Sequence, residues 1–374
     1  MPMPRVLFVS KPIAPPFHDG SKCLVRDVAA ELREFSPVVL TTAEGQALLP
    51  AGVSGRVVYG KSGAFAPALA DNARAALSLL LGPRDALWHF VFAPNPRTGQ
   101  VARALRAVKR LPIVQTVASP PRSFEGLGKL IFGDQIVVQS RATEQNLLAA
   151  ARAQGFALPP VTVIPPPVAA LTPPSPESVQ RARAELELEA NDRIILYPGD
   201  LEVSSGAEVT RALTAPLCVR FPDAVVVFAY RNKTPAAAER ASLLKQGLRG
   251  QRVRFSDRVS NMHALLAASE IVIFPVDDLW GKVDQPIVLL EALALGVPCA
   301  VLDQGPLRDV AGAVKIPTID SAAWLGALAG LREAGERARV VAEGRTAASR
   351  VYASGVVARA YEAIYLRALK AWPS

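Results

Sequence analysis

Short apolar runs alternate with stretches of helical periodicity along almost the whole chain. The pattern predicts strands at residues 5–10, 38–41, 86–92, 113–117, 135–138, 161–164, 193–197, 224–229, 252–255, 271–274 and 299–302. It predicts helices at residues 21–35, 72–81, 98–108, 141–154, 207–221, 235–246, 262–268, 286–295 and 355–372. Apolar strands that alternate with helices indicate an α/β protein whose mostly parallel sheets are covered on both faces.

The chain divides at a proline-rich segment. Prolines at 165–167, 173, 174 and 176 fit neither a helix interior nor a central strand. At 374 residues the chain also exceeds what one hydrophobic core usually supports. We therefore predict two doubly wound, Rossmann-like domains at residues 1–172 and 173–354, and a last helix at 355–374 that packs back towards the first domain. Such sheets bind ligands beyond the carboxyl ends of their strands.

The composition narrows the range of partners. The net charge of +9 favours an anionic partner, which is a nucleotide, an anionic membrane or nucleic acid. Only 6% of the residues are aromatic, and no basic run is interleaved with them, so nucleic acid is the weakest of the three. No segment has the character of a transmembrane helix or a signal peptide, and we expect a cytoplasmic protein. Arg103, Arg106, Lys109 and Arg110 are candidates for contact with the inner face of the membrane, although a solvated helix face is the simpler interpretation.

An acidic pair is the most informative feature of the second half. Asp284 lies in a loop just before a predicted helix, and Glu291 follows seven residues later, two turns along one helix face. Two carboxylates so placed can accept hydrogen bonds from two sets of hydroxyl groups. The neighbours of Glu291 are apolar, so an unpaired carboxylate there would be costly. The backbone amides of Gln285 and Ile287, near the start of the helix, would attract a phosphate.

A second candidate site follows the first predicted strand. Gly20 permits a tight turn, although a purely structural turn explains it equally well. Ser21 is a candidate N-cap of the following helix, and Lys22 adds a positive charge beside it.

These features resemble the GT-B glycosyltransferases of family four. The stretch LLEALALGVP at residues 289–298 is close to that family's carboxy-terminal signature. The stretch FVSKPIAPPFHDGSK at residues 8–22 is similar to its first strand and glycine loop. Similar segments follow in the family's order at residues 88–92, 114–119, 161–166 and 196–200, so the resemblance covers most of the chain.

The resemblance implies a GT-B fold whose two domains face each other across a cleft. It implies transfer of a sugar, with retention of configuration, from a nucleoside diphosphate sugar to a hydroxyl group. The family assigns the nucleotide ribose to Glu291, and the donor sugar, with the candidate catalytic role, to Asp284. A glycan, lipid-linked or small-molecule acceptor would lie near residues 20–22, Gln115 and Ser119. The implied setting is bacterial-type surface glycan or glycoconjugate synthesis, without a cofactor or metal.

The phosphate-binding positions of the family are occupied by other residues here. The usual Arg and Lys are replaced by Asp200, just after Gly199, and by Ser205. The loss of both cations weakens stabilisation of the leaving group. Arg231 and Lys233, after the next predicted strand, are candidate substitutes, although a solvated basic loop explains them equally well.

The histidines do not supply a catalytic residue. The position of the family's donor-site histidine is occupied by Ala118. His18 lies in the glycine loop, His89 lies in an apolar strand as a satisfied core residue, and His263 lies on the surface of an amphipathic helix. No metal site is predicted.

Two other classes of function stay open. A catalytically weakened GT-B protein would bind a nucleotide or glycan as a scaffold or partner subunit, and the replaced Arg and Lys motivate this alternative. An epimerase on the same fold ranks last, because the sequence offers no convincing acid and base for sugar isomerisation.

Overall fold

The chain folds into two compact units. The computed structural model describes residues 3–15, 17, 19–60, 67–232 and 234–372. Unit 1 comprises the described residues of Met1–Ala169, Trp280–Pro286 and Tyr352–Ser374, and unit 2 those of Ala170–Leu279 and Ile287–Val351. The short segment Trp280–Pro286 therefore groups with unit 1, whereas the sequence analysis placed it in the second domain.

Unit 1 is built on a seven-stranded parallel sheet of order β3-β2-β1-β4-β5-β6-β7. The strands are β1 (Arg5–Val9), β2 (Ser36–Thr42), β3 (Ser54–Tyr59), β4 (Leu87–Phe92), β5 (Ile113–Val117), β6 (Gln135–Val138) and β7 (Val161–Val163). The helices are α1 (Gly20–Glu31), α2 (Ala43–Gln46), α3 (Leu69–Leu81), α4 (Pro96–Lys109), α5 (Leu127–Leu130), α6 (Arg141–Ala153) and the chain's last helix, α14 (Ser354–Ala371).

Alternate residues of β1 enter two cores on opposite faces of this sheet. Val6 and Phe8 pack into a core with residues of α1 and α14. Leu7 and Val9 pack into a second core, beneath α3 and α4. Burial on both faces explains why the inner strands of a parallel sheet have continuous apolar sequences. The edge strand β3 is largely exposed in its first half, so the hydrophobic pattern did not predict it.

The chain returns to unit 1 through a short backbone pairing. Val168 donates its N–H to the carbonyl of Tyr352 at 2.7 Å, and Ser354 donates to the carbonyl of Val168 at 3.1 Å. This pairing follows a π-helical turn, Ala348–Tyr352, and directs the chain into α14, which packs against α1.

A fully buried polar cluster ties α14 to the sheet of unit 1. The two ring nitrogens of His89 lie 2.8 Å from the Tyr365 hydroxyl and 2.7 Å from the Thr116 hydroxyl. The Thr116 hydroxyl in turn lies 3.2 Å from that of Tyr361. Burial lowers the pKa of His89 to about 3, so the ring is neutral. The prediction that His89 is a satisfied core residue is confirmed.

Unit 2 contains a six-stranded parallel sheet of order β10-β9-β8-β11-β12-β13. The strands are β8 (Arg193–Tyr197), β9 (Ala224–Ala229), β10 (Val253–Ser256), β11 (Ser269–Phe274), β12 (Cys299–Leu302) and β13 (Val314–Ile316). The helices are α7 (Pro176–Glu185), α8 (Gly206–Arg220), α9 (Pro235–Gly247), α10 (Met262–Ala268), α11 (Ile287–Leu295), α12 (Ser321–Arg332) and α13 (Ala334–Ala347), with a 3-10 turn at Gly305–Asp309.

The predicted fold class, two doubly wound α/β domains, is confirmed. The elements predicted from the hydrophobic pattern are present, with ends that shift by a few residues. Helix α7 was missed because its proline-rich start looked like linker, yet Pro176 occupies the first helical position, where proline is tolerated.

We predict that the buried ring of His89 makes the protein sensitive to mild acid. The unfolded chain protonates this histidine below its ordinary pKa of 6.5, whereas the folded chain resists protonation until about pH 3. The stabilisation is therefore present above pH 6.5 and is lost as the pH falls through that window, by about 2 kcal/mol at pH 5. Urea unfolding of wild type and His89→Gln between pH 7 and pH 5 measures this loss. The substitution should remove that part of the pH dependence, whereas the more exposed His263→Gln should keep it.

Candidate functional site

The carboxylate of Glu291 lies on an otherwise apolar helix of unit 2. Its neighbours Leu290 and Ala292 are fully buried, and the Glu291 side chain itself is 21% exposed. Its Oε1 atom lies 3.2 Å from Nε2 of His263, on the adjacent helix α10. The carboxylate is thus sheltered and has one imidazole neighbour. The sequence predicts only a surface position for His263, because this contact is created by the packing of α10 on α11.

The loop after β8 is shaped by a buried tyrosine. The Tyr197 ring is fully buried, and its hydroxyl donates to the carbonyl of Asp200 at 2.9 Å. A Cβ atom added to Gly199 would lie 2.4 Å from this ring, and one added to Gly206 would lie 2.7 Å from its hydroxyl. Burial raises the pKa of Tyr197 far above its ordinary value, so the hydroxyl keeps its proton. Both glycines are therefore required for close approach, which lets the loop cover the ring.

Backbone N–H groups at the start of helix α8 donate hydrogen bonds to nearby side chains of unit 2. Ser205 donates its backbone N–H to Oδ1 of Asp277 at 2.9 Å, and Gly206 donates to Oγ of Ser204 at 3.3 Å. A carboxylate thus lies at the positive end of the helix dipole. Asp200, at one of the replaced phosphate-binding positions, is buried.

Arg231 supplies a positive charge at the edge of the unit 2 sheet where the strands have their carboxyl ends. It lies two residues beyond the end of β9 and is exposed. We call the loop between β8 and α8, residues 198–205, the Gly199 loop. In a parallel sheet the carboxyl ends of all strands meet at one edge, so Arg231 and the Gly199 loop lie at the same edge of the unit 2 sheet. Lys233 lies outside the described residues.

Asp284 and Gln285 serve as anchors inside unit 1. Asp284 is fully buried, and its Oδ2 atom accepts a 2.6 Å hydrogen bond from the Ser140 hydroxyl. Gln285 donates to the carbonyl of Gln139 at 2.9 Å and accepts from the Tyr352 hydroxyl at 2.8 Å. These bonds fasten the segment Trp280–Pro286 to the unit.

The predicted helix-face pairing of Asp284 with Glu291 is wrong. Helix α11 begins only at Ile287, so Asp284 lies outside it and helical spacing does not apply. The preceding residue, Val283, occupies the usual position of the family's first acid. Its methyl groups lie against Gly20, where an added Cβ would come within 2.9 Å of Cγ1.

The start of helix α1 is capped by a residue other than the predicted one. Asp19 is the N-cap and accepts hydrogen bonds from the backbone N–H and the hydroxyl of Ser21, at 2.9 and 2.6 Å. Gly20 is the first residue of α1 and does not have a positive φ, so its role is close approach to Val283 and not a tight turn. The ammonium group of Lys22 is buried and donates to the carbonyl of Ala14 at 3.3 Å, and burial lowers its pKa. His18 lies outside the described residues.

The side chain of Gln115 makes its hydrogen bonds within unit 1. Its amide donates to the carbonyl of Leu130 at 2.9 Å and accepts from the N–H groups of Phe132 and Gly133 at 2.9 and 3.2 Å. The buried amide therefore closes the loop between β5 and β6, with its oxygen accepting two hydrogen bonds and its NH2 group donating within the unit.

An exposed aromatic and a cation lie together in unit 1. The Arg122 guanidinium, three residues beyond the half-buried Ser119, lies over the Trp280 indole with its carbon 4.7 Å from the ring centroid. Trp280 is 50% exposed although its segment is held by the Asp284 and Gln285 bonds. Sequence reasoning missed Trp280, because only the fold brings it beside Arg122.

Among the described residues there is neither a cluster of metal-binding side chains nor a helix able to span a membrane. Within those ranges, no group of three or more His, Cys, Asp or Glu side chains could hold a metal ion. No helix in the described part of the chain is both long and apolar enough to cross a membrane.

The comparisons with known proteins identify one domain and one fold. Residues 192–333 match the family model described as glycosyl transferases group 1. No curated protein matches the chain.

Solved structures share the fold over nearly the whole chain. A glycosyltransferase from Rickettsia africae has a TM-score of 0.76 at 15% identity, covering 99% of this chain and 100% of its own. Anabaena HepE in complex with UDP-glucose has a TM-score of 0.74 at 15% identity, covering 97% and 100%. The sucrose-phosphate synthase of Thermosynechococcus elongatus has a TM-score of 0.73 at 17% identity, covering 98% and 100%. At these identities the likeness establishes the fold alone.

We predict that Gly199→Ala destabilises unit 2. The added methyl group would overlap the buried Tyr197 ring, and such overpacking costs about 1–3 kcal/mol. The midpoint of thermal unfolding should therefore fall. Gly326→Ala is the matched control, because this glycine lies in helix α12 with open space where its Cβ would be, and alanine favours a helix. If both variants unfold at the same temperature, the ring does not constrain the loop.

Proposed function

We propose that this chain, whose residues 192–333 form a group 1 glycosyltransferase domain within a GT-B fold, transfers a sugar from a nucleoside diphosphate sugar to a hydroxyl group. The family and the fold are those expected from the sequence, and the family-four type is consistent with them. The bond from the anomeric carbon to the diphosphate breaks, a bond to the acceptor oxygen forms with retention of configuration, and the acceptor proton passes to the leaving nucleoside diphosphate. We place the reaction in bacterial-type surface glycan or glycoconjugate synthesis.

The observation that carries the proposal is the sheltered carboxylate of Glu291. An ionised carboxylate has about four acceptor positions, and Nε2 of His263 lies 3.2 Å from one of its oxygens, Oε1. The remaining capacity suits the two neighbouring hydroxyl groups of a ribose. The partial burial strengthens such hydrogen bonds relative to those on an open surface. The complex of Anabaena HepE with UDP-glucose supports a donor of this class.

Arg231 is the described cation that we assign to the donor diphosphate. Negative charge grows on the leaving diphosphate as its bond to the sugar breaks, and a fixed positive charge there lowers the barrier. Lys233, the second candidate cation, lies outside the described residues. The Gly199 loop, residues 198–205, carries no Lys or Arg. The carboxylates of Asp200 and Asp277 oppose phosphate binding nearby.

The acceptor is assigned to unit 1, near Arg122 and Trp280. The flat, half-exposed indole can stack against the C–H face of a sugar ring, and the guanidinium can donate to hydroxyl or phosphate oxygens of a glycan or lipid-linked acceptor. Ser119 lies close by in sequence and remains a candidate. We no longer assign Gln115 and Lys22 to the acceptor site, because both side chains are buried and bonded internally.

A second candidate function is nucleotide or glycan binding without transfer. It is favoured by Val283, an apolar residue at the usual position of the family's first acid, and by Asp277 at the start of α8. Under this alternative, nucleotide sugars bind but are neither transferred nor hydrolysed with any acceptor tested.

We expect Glu291→Gln to weaken donor binding by about 10- to 100-fold, because hydrogen bonds to a charged acceptor contribute about 1.5–3 kcal/mol. Calorimetric titration of UDP, ADP and GDP sugars against wild type and variant measures this. His263→Ala should produce a smaller loss, and the double variant should lose less than the sum, since the imidazole acts through the carboxylate. The exposed Glu239→Gln of α9 is the matched control. Equal binding by Glu291→Gln and Glu239→Gln would remove Glu291 from the donor site.

We expect Trp280→Ala to raise the KM for the acceptor about tenfold, because stacking on the indole is lost. Acceptor-independent hydrolysis of the donor should stay unchanged, which separates acceptor binding from folding and donor binding. Arg122→Lys should give an intermediate effect, since lysine keeps the charge but loses the planar stacking. Ile319→Ala, an exposed apolar residue of unit 2, is the control. An unchanged acceptor KM in Trp280→Ala would place the acceptor elsewhere.

A further inference from the structure

Helices α3 and α4 form the outer layer of unit 1 on one face of its sheet. Both contribute buried residues to the same core, Ala75 and Leu79 from α3 and Ala102 and Leu105 from α4. The two helices also pack against each other. Their opposite sides therefore face outward together as one surface, which we call the α3–α4 face.

The α3–α4 face is apolar where a surface helix is ordinarily polar. Leu69, Leu77 and Leu81 follow one side of α3 at spacings of eight and four, with exposures of 85%, 53% and 74%. Val101 and Val108 lie two turns apart on α4 and are also exposed. These five account for more than a third of the fourteen large hydrophobic side chains exposed among the described residues. Exposed apolar patches of this kind mark interaction surfaces.

The same segment concentrates positive charge. Residues 67–111 contain seven Lys or Arg and two Asp, a net charge of +5, which is more than half of the chain's +9. The two acids are paired, Asp71 with Arg74 and Asp85 with Arg56. The face is thus flanked by cations, and both carboxylates of this segment are already in ion pairs.

The cations that face solvent differ from most of those expected from the sequence. Arg103 donates to backbone carbonyls, Arg106 pairs with Asp134, and Lys109 donates to the carbonyl of Gly82. These three bonds fix the helices in place. Arg74 is exposed but is paired with Asp71, and Arg84, Arg97 and Arg110 are the other exposed cations of the segment. Arg110 ends α4 with a left-handed backbone.

We propose that the α3–α4 face docks unit 1 on an anionic lipid bilayer. The leucine and valine side chains enter the boundary between headgroups and acyl chains, and Arg84, Arg97 and Arg110 meet anionic headgroups. A second copy of the chain is the less suitable occupant, because a twofold interface would bring the same cations of both copies together. The inference needs no transfer activity, so it does not depend on the proposed function.

Sedimentation of the full chain with vesicles tests the docking. Vesicles of phosphatidylcholine with 30% phosphatidylglycerol should bind the protein, and pure phosphatidylcholine should bind it much more weakly. Leu81→Glu with Val108→Glu should weaken binding at least tenfold, and Arg97→Gln by about fivefold, the usual effect of one arginine near an anionic surface. Both glutamate positions are exposed, so the thermal unfolding midpoint should not change. Val219→Glu on α8 of unit 2, which is 83% exposed, is the matched control.

Two results would overturn the inference. One is equal vesicle binding by the wild type, the Leu81→Glu and Val108→Glu double variant, and Val219→Glu. The other is no vesicle binding by the wild type. If the wild type then forms a dimer in analytical ultracentrifugation that the double variant abolishes, the face belongs to another copy of the chain.

Discussion

Parallel strand pairing is the constraint on which the architecture of both units depends. It covers each sheet with helices and brings the carboxyl ends of all strands of a unit to one edge. In unit 2 this places the Gly199 loop after β8, Arg231 after β9 and Asp277 after β11 at the same edge, although they are far apart in sequence. The hydrogen bond from Ser205 to Asp277 is direct evidence that these loops meet.

The two carboxylates singled out in the sequence differ in what surrounds them. Asp284 is fully buried and accepts from the Ser140 hydroxyl, so it works as an anchor of unit 1. Glu291 is partly exposed and has an imidazole at one oxygen, which leaves acceptor capacity for a ligand. The extent of burial and the hydrogen bonds already made therefore distinguish the anchoring carboxylate of Asp284 from that of Glu291, which suits a ribose. Gln115 and Lys22 are likewise buried and bonded internally, whereas Trp280 and Arg122 are exposed.

The fold was predictable from sequence because hydrophobic periodicity reports burial, and most strands and helices of both units are buried on at least one face. Strand β3 escaped prediction because it is an exposed edge, and α7 because its prolines resembled a linker. The site was less predictable. The contact of His263 with Glu291 and the stacking of Arg122 on Trp280 join residues whose proximity depends on tertiary packing. The cap of α1 was assigned to Ser21 and not Asp19 because both residue types suit that position.

We propose that the carboxylate of Glu291 binds the ribose of a nucleoside diphosphate. A crystal structure of the protein with such a nucleotide bound is the decisive test. We expect ribose hydroxyl groups within hydrogen-bonding distance of the Glu291 carboxylate and the diphosphate beside the Gly199 loop and Arg231. A nucleotide bound elsewhere, with Glu291 still in contact with His263 alone, would contradict it.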